Sequence, residues 1–295
     1  MDAKRRETLS GWAFSAPSLA LLTIFLIVPF ALAIGLSFTN QRLISPLPTR
    51  FVGVANYLAV FGDRVFWRAV INNVVFAAIV VPVQTALALW LAVLVDRPLR
   101  GMKVYRTIYF MPVVSVMAVA ATVWKLLYEP DTGAVNSLLG LVTGGALQPE
   151  WLRSTTWALP AIVIMSIWQG VGFQMIVILA GLQGIPQVLY EAGDVDGAGR
   201  WQRFRFITLP QLRNTLIFVV TVTAILAFRL FDQVYVMTSG GPRNATQTML
   251  LQMVEVGFGQ QRIAQGSAIA VVFFVIVLSI TLVQRRLLRE EREIT

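Results

Sequence analysis

The sequence predicts an all-α integral membrane protein with six transmembrane helices, and three observations carry that reading. The first is composition: of 295 residues, 57% are hydrophobic and only 13% charged, where a soluble domain holds about 25% charged residues. The second is length. Six apolar stretches, at about 13–38, 69–95, 107–128, 157–180, 215–237 and 263–283, each reach the roughly 20 residues that cross about 30 Å of hydrocarbon at 1.5 Å per residue. The third is the placement of basic residues. An even number of crossings puts both termini on one side, together with Lys4, Arg5, Arg6, Arg97, Arg100, Lys103, Arg106, Arg200, Arg203, Arg205, Arg213, Arg285, Arg286, Arg289 and Arg292. The alternate segments hold Arg42, Arg50, Arg64, Arg68, Arg153, Arg243 and Arg262. The positive-inside rule then places both termini in the cytoplasm, with tails at 1–12 and 284–295 around a transmembrane domain at 13–283. The formal charge of +9 is accounted for by topology and needs no nucleic-acid surface. No cleavable signal is expected, because the first apolar run is too long and no small-residue cleavage site follows it.

Taken in order, the first span carries Pro17 and Pro29 and leads to an outer segment with Pro46 and Pro48. Residues 51–57 and the following Leu58 to Trp67 predict an interfacial helix, since Tyr57 and Trp67 favour the headgroup level. The second span starts near Ala69 and holds Asn72, Asn73, Pro82 and Gln84, polar or helix-breaking residues that prefer a protein-facing side. A short basic turn covers Asp96 to Arg106. The third span holds Pro112, Ser115 and Lys125, with Glu129 four residues on. Lys125 and Glu129 either line the outer mouth of a pathway or pair with each other while Lys125 snorkels. The segment 129–156 is external, with Trp151 as an interface anchor.

The fourth and fifth spans carry the candidate solute pathway: Gln169, Phe173, Gln174, Thr221, Phe228, Arg229 and Asp232. In Trp168-Gln169-Gly170 and Gly172-Phe173-Gln174, rings could stack on the apolar face of a sugar while amides bond its hydroxyls. Equally, Gly170 and Gly172 could let helices approach while the amides bond across them. Thr221, Thr223, Phe228, Arg229, Phe231, Asp232, Gln233 and Tyr235 follow on the fifth span. An Arg in an apolar helix is costly unless paired or facing water, and Asp232 at i+3 can pair with Arg229. That pair is a structural or gating element, or a direct substrate contact. A short external helix is expected from Thr246 to Phe258. Gln260, Gln261 and Gln265 mark the start of the sixth span, where Gly266 and Ser267 suit tight packing or a polar lining.

One cytoplasmic interruption, 184–210, is too patterned for a linker. Pro186 suits the first turn of a helix. Val188, Leu189, Ala192 and Val195 then form an apolar face, with Glu191 and Asp194 off it, and Gly197 and Gly199 end the element. Pro210 marks the start of the next span. Such a helix is a docking surface for something outside the lipid. Glu191-Ala192, Gly197-Ala198, Phe204, Ile207, Leu209 and Pro210 resemble the cytoplasmic EAA loop of permease subunits in binding-protein-dependent ABC importers. Leu189 to Ala192, Asp196 to Ala198, and Phe231 to Thr238 with Gly240-Gly241-Pro242 resemble its carbohydrate branch, which imports maltose-like oligosaccharides, other sugars and glycerol-phosphate derivatives. Gly193 stands where a second Ala is usual, and Asn214 where Pro is common.

The resemblance implies a type I ABC importer permease fold, with the chain forming half of an alternating-access pathway. It implies four kinds of partner, the lipid membrane among them: the others are a second homologous permease, two cytoplasmic ATPase subunits, and an extracytoplasmic solute-binding protein. Val188, Leu189, Glu191, Ala192, Val195, Asp196, Gly197 and Ala198 become the ATPase-coupling residues, in a bacterial or archaeal cytoplasmic membrane. Glu191 is expected to make a charge-assisted contact with a basic group of the ATPase. No Gly-x-x-x-x-Gly-Lys-Ser/Thr loop occurs, so ATP and Mg belong on a separate chain, and this one needs no cofactor. The absence of Cys and His excludes disulfides, thiolate or imidazole metal ligands, and Cys or His catalysis. Glu191, Asp194 and Asp196 lack the neighbours of a metal or hydrolytic site. The alternatives to an ATP-driven permease are a secondary carrier or a channel working alone, and the lack of an evident internal inverted repeat weighs against the carrier.

Overall fold

The computed structural model describes residues 3–44, 48–96 and 101–287. Pro46, Arg97, Arg100, Arg289 and Arg292 lie outside the described residues, as do the side chains of Lys4, Arg5, Arg6 and Arg285. The chain divides into two compact units, Met1–Arg64 with Gln252–Val275, and Val65–Leu251 with Ile276–Thr295. Four helices among the described residues are long and apolar enough to cross a membrane unaided: Gly11–Ser37, Arg64–Val95, Ala158–Gln183 and Ile263–Gln284. Two bent pairs bring the number to six, Met102–Val114 with Met117–Leu127, bent by 98°, and Arg200–Gln211 with Arg213–Phe228, bent by 66°.

In the first unit, α1 (Ala3–Leu22) passes through a π-helical turn, Thr23–Ile27, into α2 (Val28–Ser37). No part of the most apolar window of this span is buried by the chain, as befits a surface left to lipid or to another subunit. After α2, the Asn56 amide donates to the carbonyls of Ser37 and Thr39, both at 2.8 Å, and so fixes the start of α3 (Ala55–Gly62). The interfacial helix expected to reach Trp67 is cut at Asp63, whose extended backbone (ψ 120°) separates α3 from α4 (Arg64–Val95). Trp67 therefore belongs to the second span, whose helix begins at Arg64 and not near Ala69. Gly266 meets the Gly257 backbone so closely that a Cβ there would lie 2.7 Å from the Gly257 Cα, the tight packing expected of a small residue at the head of a span.

The second unit is built on α4, α8 (Ala158–Gln183) and α12 (Arg213–Phe228). Ala88, Ala92, Met175, Ile178, Leu182 and Leu212 form its core toward the loop end. Between α4 and α8 lie α5 (Met102–Val114) and α6 (Met117–Leu127), where the third span breaks. Pro112 sits in the last turn of α5, and Ser115 and Val116 are extended, with ψ of 140° and 132°. The break leaves the Pro112 carbonyl to the Ser115 hydroxyl at 2.6 Å.

A helix not foreseen in the sequence, α7 (Ala134–Thr143), follows Gly133 and is capped by Gly144 in the left-handed region at φ +63°. Its Asn136 is buried and accepts the Trp151 indole N–H at 2.7 Å. Trp151 is thus a buried packing residue rather than an interface anchor, because its one donor is satisfied inside the protein. The remaining elements are α9 (Gln187–Val195), α10 (Arg200–Arg203), a π-helical turn Phe204–Thr208, α11 (Leu209–Gln211), α13 (Asp232–Met237), α14 (Met249–Val254) with a π-helical turn Glu255–Gly259, and α15 (Ile263–Leu287).

Candidate solute cavity and coupling surface

A cavity of about 460 Å³ lies inside the second unit, within the range of small-molecule sites. Its walls are helix faces. Phe76, Val80 and Gln84 come from α4, Ser166, Gln169, Phe173 and Gln174 from α8, and Val222, Thr223, Leu226 and Ala227 from α12. The break in the third span contributes Val113 and Met117 from its two sides. A second break closes the ring. Helix α12 stops at Phe228, Phe231 takes φ −141° and ψ −64°, and α13 starts at Asp232, so Arg229, Asp232 and Gln233 reach the cavity from around this break.

The glycines of the fourth span have separate work. A Cβ on Gly172 would run into the Tyr109 carbonyl oxygen and lie 2.9 Å from the Phe110 Cα, so Gly172 sets the approach of α5 to α8. Gly170 similarly accommodates the Gln84 amide. The glycines of this segment thus pack helices, while Gln169 and Gln174 line the cavity and Gln174 also bonds across to α12.

Hydrogen-bond direction fixes the polarity of the wall. The Thr223 hydroxyl donates to the Val219 carbonyl at 2.7 Å, so its oxygen accepts, and the Gln174 amide nitrogen donates to it. That orients Gln174 and leaves its Oε1 without a partner, on a residue only 3% exposed. Likewise, the Ser166 hydroxyl donates to Ile162 and accepts from the Gln233 amide at 3.3 Å. An unpaired buried acceptor is costly.

Of the seven candidate pathway residues, Gln169, Phe173, Gln174, Arg229 and Asp232 line this cavity. Thr221 and Phe228 do not: the Thr221 hydroxyl turns back to the Ile217 carbonyl, and Phe228 is buried with its carbonyl bound by the Asn73 amide at 3.0 Å. Arg229 and Asp232 do not form the expected ion pair. Arg153 pairs instead with Glu129, and Arg203 with Asp194. The i+3 spacing presumes a continuous helix, and the helix breaks between the two residues. Glu129 meets Arg153 at 2.8 Å rather than Lys125, whose ammonium donates to the Val236 carbonyl at 3.4 Å; α6 ends at Leu127, so here too helical spacing lapses. Ser166, Phe76, Val80, Val113 and Met117 were absent from the candidates. Ser166 alone carried a signal, as a lone hydroxyl in an apolar helix.

Asn73 is a further residue of consequence. Fully buried, it donates to Phe228 O and accepts the Met249 N–H at 2.9 Å, so it ties the end of α12 to the start of α14. Its neighbour Asn72 donates to the Asn244 and Gln247 carbonyls at 3.1 and 2.9 Å. A second hollow of about 460 Å³ is lined by Lys125, Tyr128, Glu129, Arg153, Thr238 and Ser239. There the buried Tyr128 phenol donates to Ala161 O at 3.1 Å.

At the opposite end, α9 is seated against the segment after it. Pro186 is its N-cap, one residue outside the first turn where it was expected. The Tyr190 hydroxyl meets that of Thr208 at 3.0 Å, Asp194 pairs with Arg203, and buried Gly193 packs beside Ile207 and Arg203. Gly197, at φ +72°, turns the chain so that the Ala198 N–H reaches the Gly193 carbonyl at 2.8 Å. One side of the helix, at 190, 193 and 194, is thereby occupied. The other, at 188, 191, 192 and 195, points outward, with Val188 64% and Val195 88% exposed. Leu189 and Ala198 are half-buried, while Glu191, Ala192, Asp196 and Gly197 are exposed. Beneath this loop, burial raises the Asp96 carboxyl above its ordinary value, while a hydrogen bond from Gln183 and the charge of Arg106 oppose the rise. Among the described residues, no three His, Cys, Asp or Glu side chains gather as a metal site.

A family model described as the binding-protein-dependent transport system inner membrane component matches residues 13–292. The chain belongs to this family. It is a non-catalytic membrane permease component of an ABC-type importer, with the all-α, multi-span permease fold of type I importers. Among similar permeases, the trehalose/maltose transport system permease protein MalF of Thermococcus litoralis is 36% identical, over 98% of this chain and 97% of its own. The lactose transport system permease protein LacF of Rhizobium radiobacter is 35% identical, over 94% and 92%. The sulfoquinovosyl glycerol transport system permease protein SmoG of Agrobacterium fabrum is 35% identical, over 93% and 88%. A crystal structure of a bacterial ABC transporter that imports the acidic polysaccharide alginate contains a chain that superposes with a TM-score of 0.83 at 23% identity, over 99% of this permease and 100% of that chain. That likeness supports the fold.

Proposed function

We propose that this permease forms one half of an alternating-access pathway for a sugar or sugar-like polyol, of the class that includes glycerol-phosphate derivatives, and that a separate ATPase drives it through the outward face of α9. The observation that carries the reading is the pairing of a polar-lined cavity with that outward face. Gln84, Gln169, Gln174, Ser166, Thr223 and Asp232 offer hydrogen-bonding groups to hydroxyls, Phe173 offers a ring, and Arg229 could hold an anionic substituent. The names of the three similar permeases given above, each of a carbohydrate or carbohydrate-derivative system, support the class. The positive-inside distribution supports a cytoplasmic α9 and cytoplasmic termini in a bacterial or archaeal plasma membrane. The partners are a second homologous permease, two ATPase subunits and an external solute-binding protein. Val188, Ala192 and Val195 supply an apolar contact to the ATPase, Leu189 extends it, Glu191 supplies a charge-assisted one, Asp196 and Ala198 flank the turn, and Gly197 breaks the helix.

The test is Glu191→Arg in the assembled complex. Insertion and subunit recovery should match the unaltered protein, while solute-stimulated ATP hydrolysis and uptake both collapse. Normal uptake with normal stimulation would overturn the assignment of α9. Uptake by the isolated chain in vesicles without ATP would overturn the ATP-driven reading altogether.

A further inference from the structure

The bend at the start of the fifth span makes a groove that the transport reading does not use. Arg205, Leu209 and Pro210 line it from before the bend, and Arg213, Leu216, Ile217 and Val220 from after it, around about 370 Å³. Its composition is divided by position. Both arginines sit where the loop passes into the span, and among the described residues no carboxylate lines the groove. The floor is aliphatic and follows α12 from Arg213 to Val220, about 10 Å of helix at 1.5 Å per residue. The same segment presents Trp201 and Phe206, each 72% exposed, and Trp is an amphipathic aromatic favoured at headgroup level. The Arg205 guanidinium lies 5.9 Å from the centre of the Phe206 ring, a cation–π arrangement that holds it at that level.

We infer that this groove is a binding site for one anionic phospholipid, with the headgroup phosphate between Arg205 and Arg213 and an acyl chain along Leu216, Ile217 and Val220. Guanidinium groups match phosphate oxygens bidentately, and basic recesses between membrane helices are suited to acidic headgroups. An acidic protein segment would satisfy the rim but leave the aliphatic floor uncovered, some 10 Å into the span. A zwitterionic lipid would cover the floor yet bring its own cation to the rim. The site is independent of which solute is carried. Its place beside the segment that seats α9 means that a bound lipid would brace the bend between loop and span.

The experiment compares lipid retention by the full complex after equilibration with vesicles of phosphatidylcholine alone and with equimolar phosphatidylglycerol. Native mass spectrometry counts the lipids kept. The unaltered protein should retain one phosphatidylglycerol per copy of this chain in preference to phosphatidylcholine. Arg205→Gln with Arg213→Gln should weaken that retention roughly thirtyfold, taking about 1 kcal/mol per basic residue near the surface. Ile217→Trp, which fills the floor and leaves the charges in place, should also displace the lipid. Because the chain contains no cysteine, Ile217→Cys gives a unique label at the floor. A lipid-borne maleimide should reach it. Equal retention of the two lipids by the unaltered protein, retention undiminished in both variants, or cross-linking of the Ile217→Cys variant to the second permease in place of the lipid would each overturn the inference.

Discussion

The same substitution at two glycines should have opposite outcomes, and the reason lies in what each would strike. At Gly172 an added methyl would lie 2.9 Å from the Phe110 Cα and 3.0 Å from the Tyr109 carbonyl carbon, with the Tyr109 oxygen nearer still. Carbon atoms rest at about 3.5–4.0 Å, and these are backbone atoms inside a helix, so all of α5 must retreat by roughly 0.5–1 Å. Overpacking of that kind costs about 1–3 kcal/mol, while Ala in place of Gly in a helix returns about 1 kcal/mol. Gly172→Ala should therefore destabilise by up to about 2 kcal/mol and, because Phe173 and Gln174 follow it in the cavity wall, reduce uptake. At Gly193 the methyl would lie 2.9 Å from Ile207 Cδ1, the free end of a side chain that can rotate aside. The propensity gain of about 1 kcal/mol then dominates, and Gly193→Ala should be neutral or stabilising. Thermal unfolding in one lipid-detergent system, followed by tryptophan fluorescence, measures both. A Gly172→Ala midpoint at or above that of the unaltered protein would refute the reasoning, as would a larger loss at Gly193 than at Gly172.

Three further outcomes follow from single side chains. Asn73→Ala strands the buried Phe228 carbonyl and Met249 N–H, each costing about 1–3 kcal/mol, so the unfolding midpoint should fall more than for any substitution of exposed Glu191. Gln174→Met keeps volume but removes the hydrogen bond to Thr223 that joins α8 to α12 at the cavity wall, and the solute concentration for half-maximal uptake should rise about tenfold or more, with no change in expression. Burial raises the Asp96 carboxyl above 3.8, so the folded state holds that proton more tightly than the unfolded one and ionisation works against the fold. Asp96→Asn should then raise the midpoint at neutral pH, and the difference should close as pH falls through the raised value toward 3.8; a difference independent of pH would exclude the effect.

What could be read in the sequence and what could not divide along one physical line. Span positions follow from apolar run length, and the presence of helix α9 follows from 3.6-residue periodicity, because both are properties of continuous helix, whereas its seating through Tyr190, Gly193 and Asp194 is not legible in that pattern. Gln169, Phe173 and Gln174 fall on the cavity for the same reason: they occupy an unbroken helix from Ala158 to Gln183. The pairings and the helix that failed all assumed continuity where the chain breaks. Arg229 and Asp232 straddle the end of α12, Lys125 and Glu129 straddle the end of α6, and Tyr57 and Trp67 lie on either side of Asp63. Two of these breaks are bordered by long-range bonds, Asn73 to residues 228 and 249 and the Gln252 amide to the Asp63 carboxylate, whose partners no local pattern reveals. The third span kinks after Pro112, which was noticed, but a proline alone does not tell a mild kink from a turn of 98°.

The two helices that carry most of the cavity wall are the two that flank the coupling loop, and this bears on how force on α9 would reach the solute. Helix α8 runs unbroken from Gln174 to Gln183, roughly 14 Å at 1.5 Å per residue, and only Gly184, Ile185 and Pro186 separate it from α9. On the other side, α9 is bonded through Tyr190 and Asp194 to Thr208 and Arg203, which lead through the bend at Leu212 into α12. On the proposed coupling role, a rigid displacement of α9 would therefore act on both walls at once. The Gln174 to Thr223 hydrogen bond joins those walls across the cavity, so motion that shifts α8 against α12 must strain or release the contact that orients the Gln174 acceptor. Tyr190→Phe combined with Asp194→Asn separates the two routes, since together they cut the link to Thr208 and the ion pair with Arg203 and leave α8 continuous. If both routes matter, ATP hydrolysis in that variant should persist while uptake per ATP falls; an unchanged ratio would assign the transmission to α8 alone.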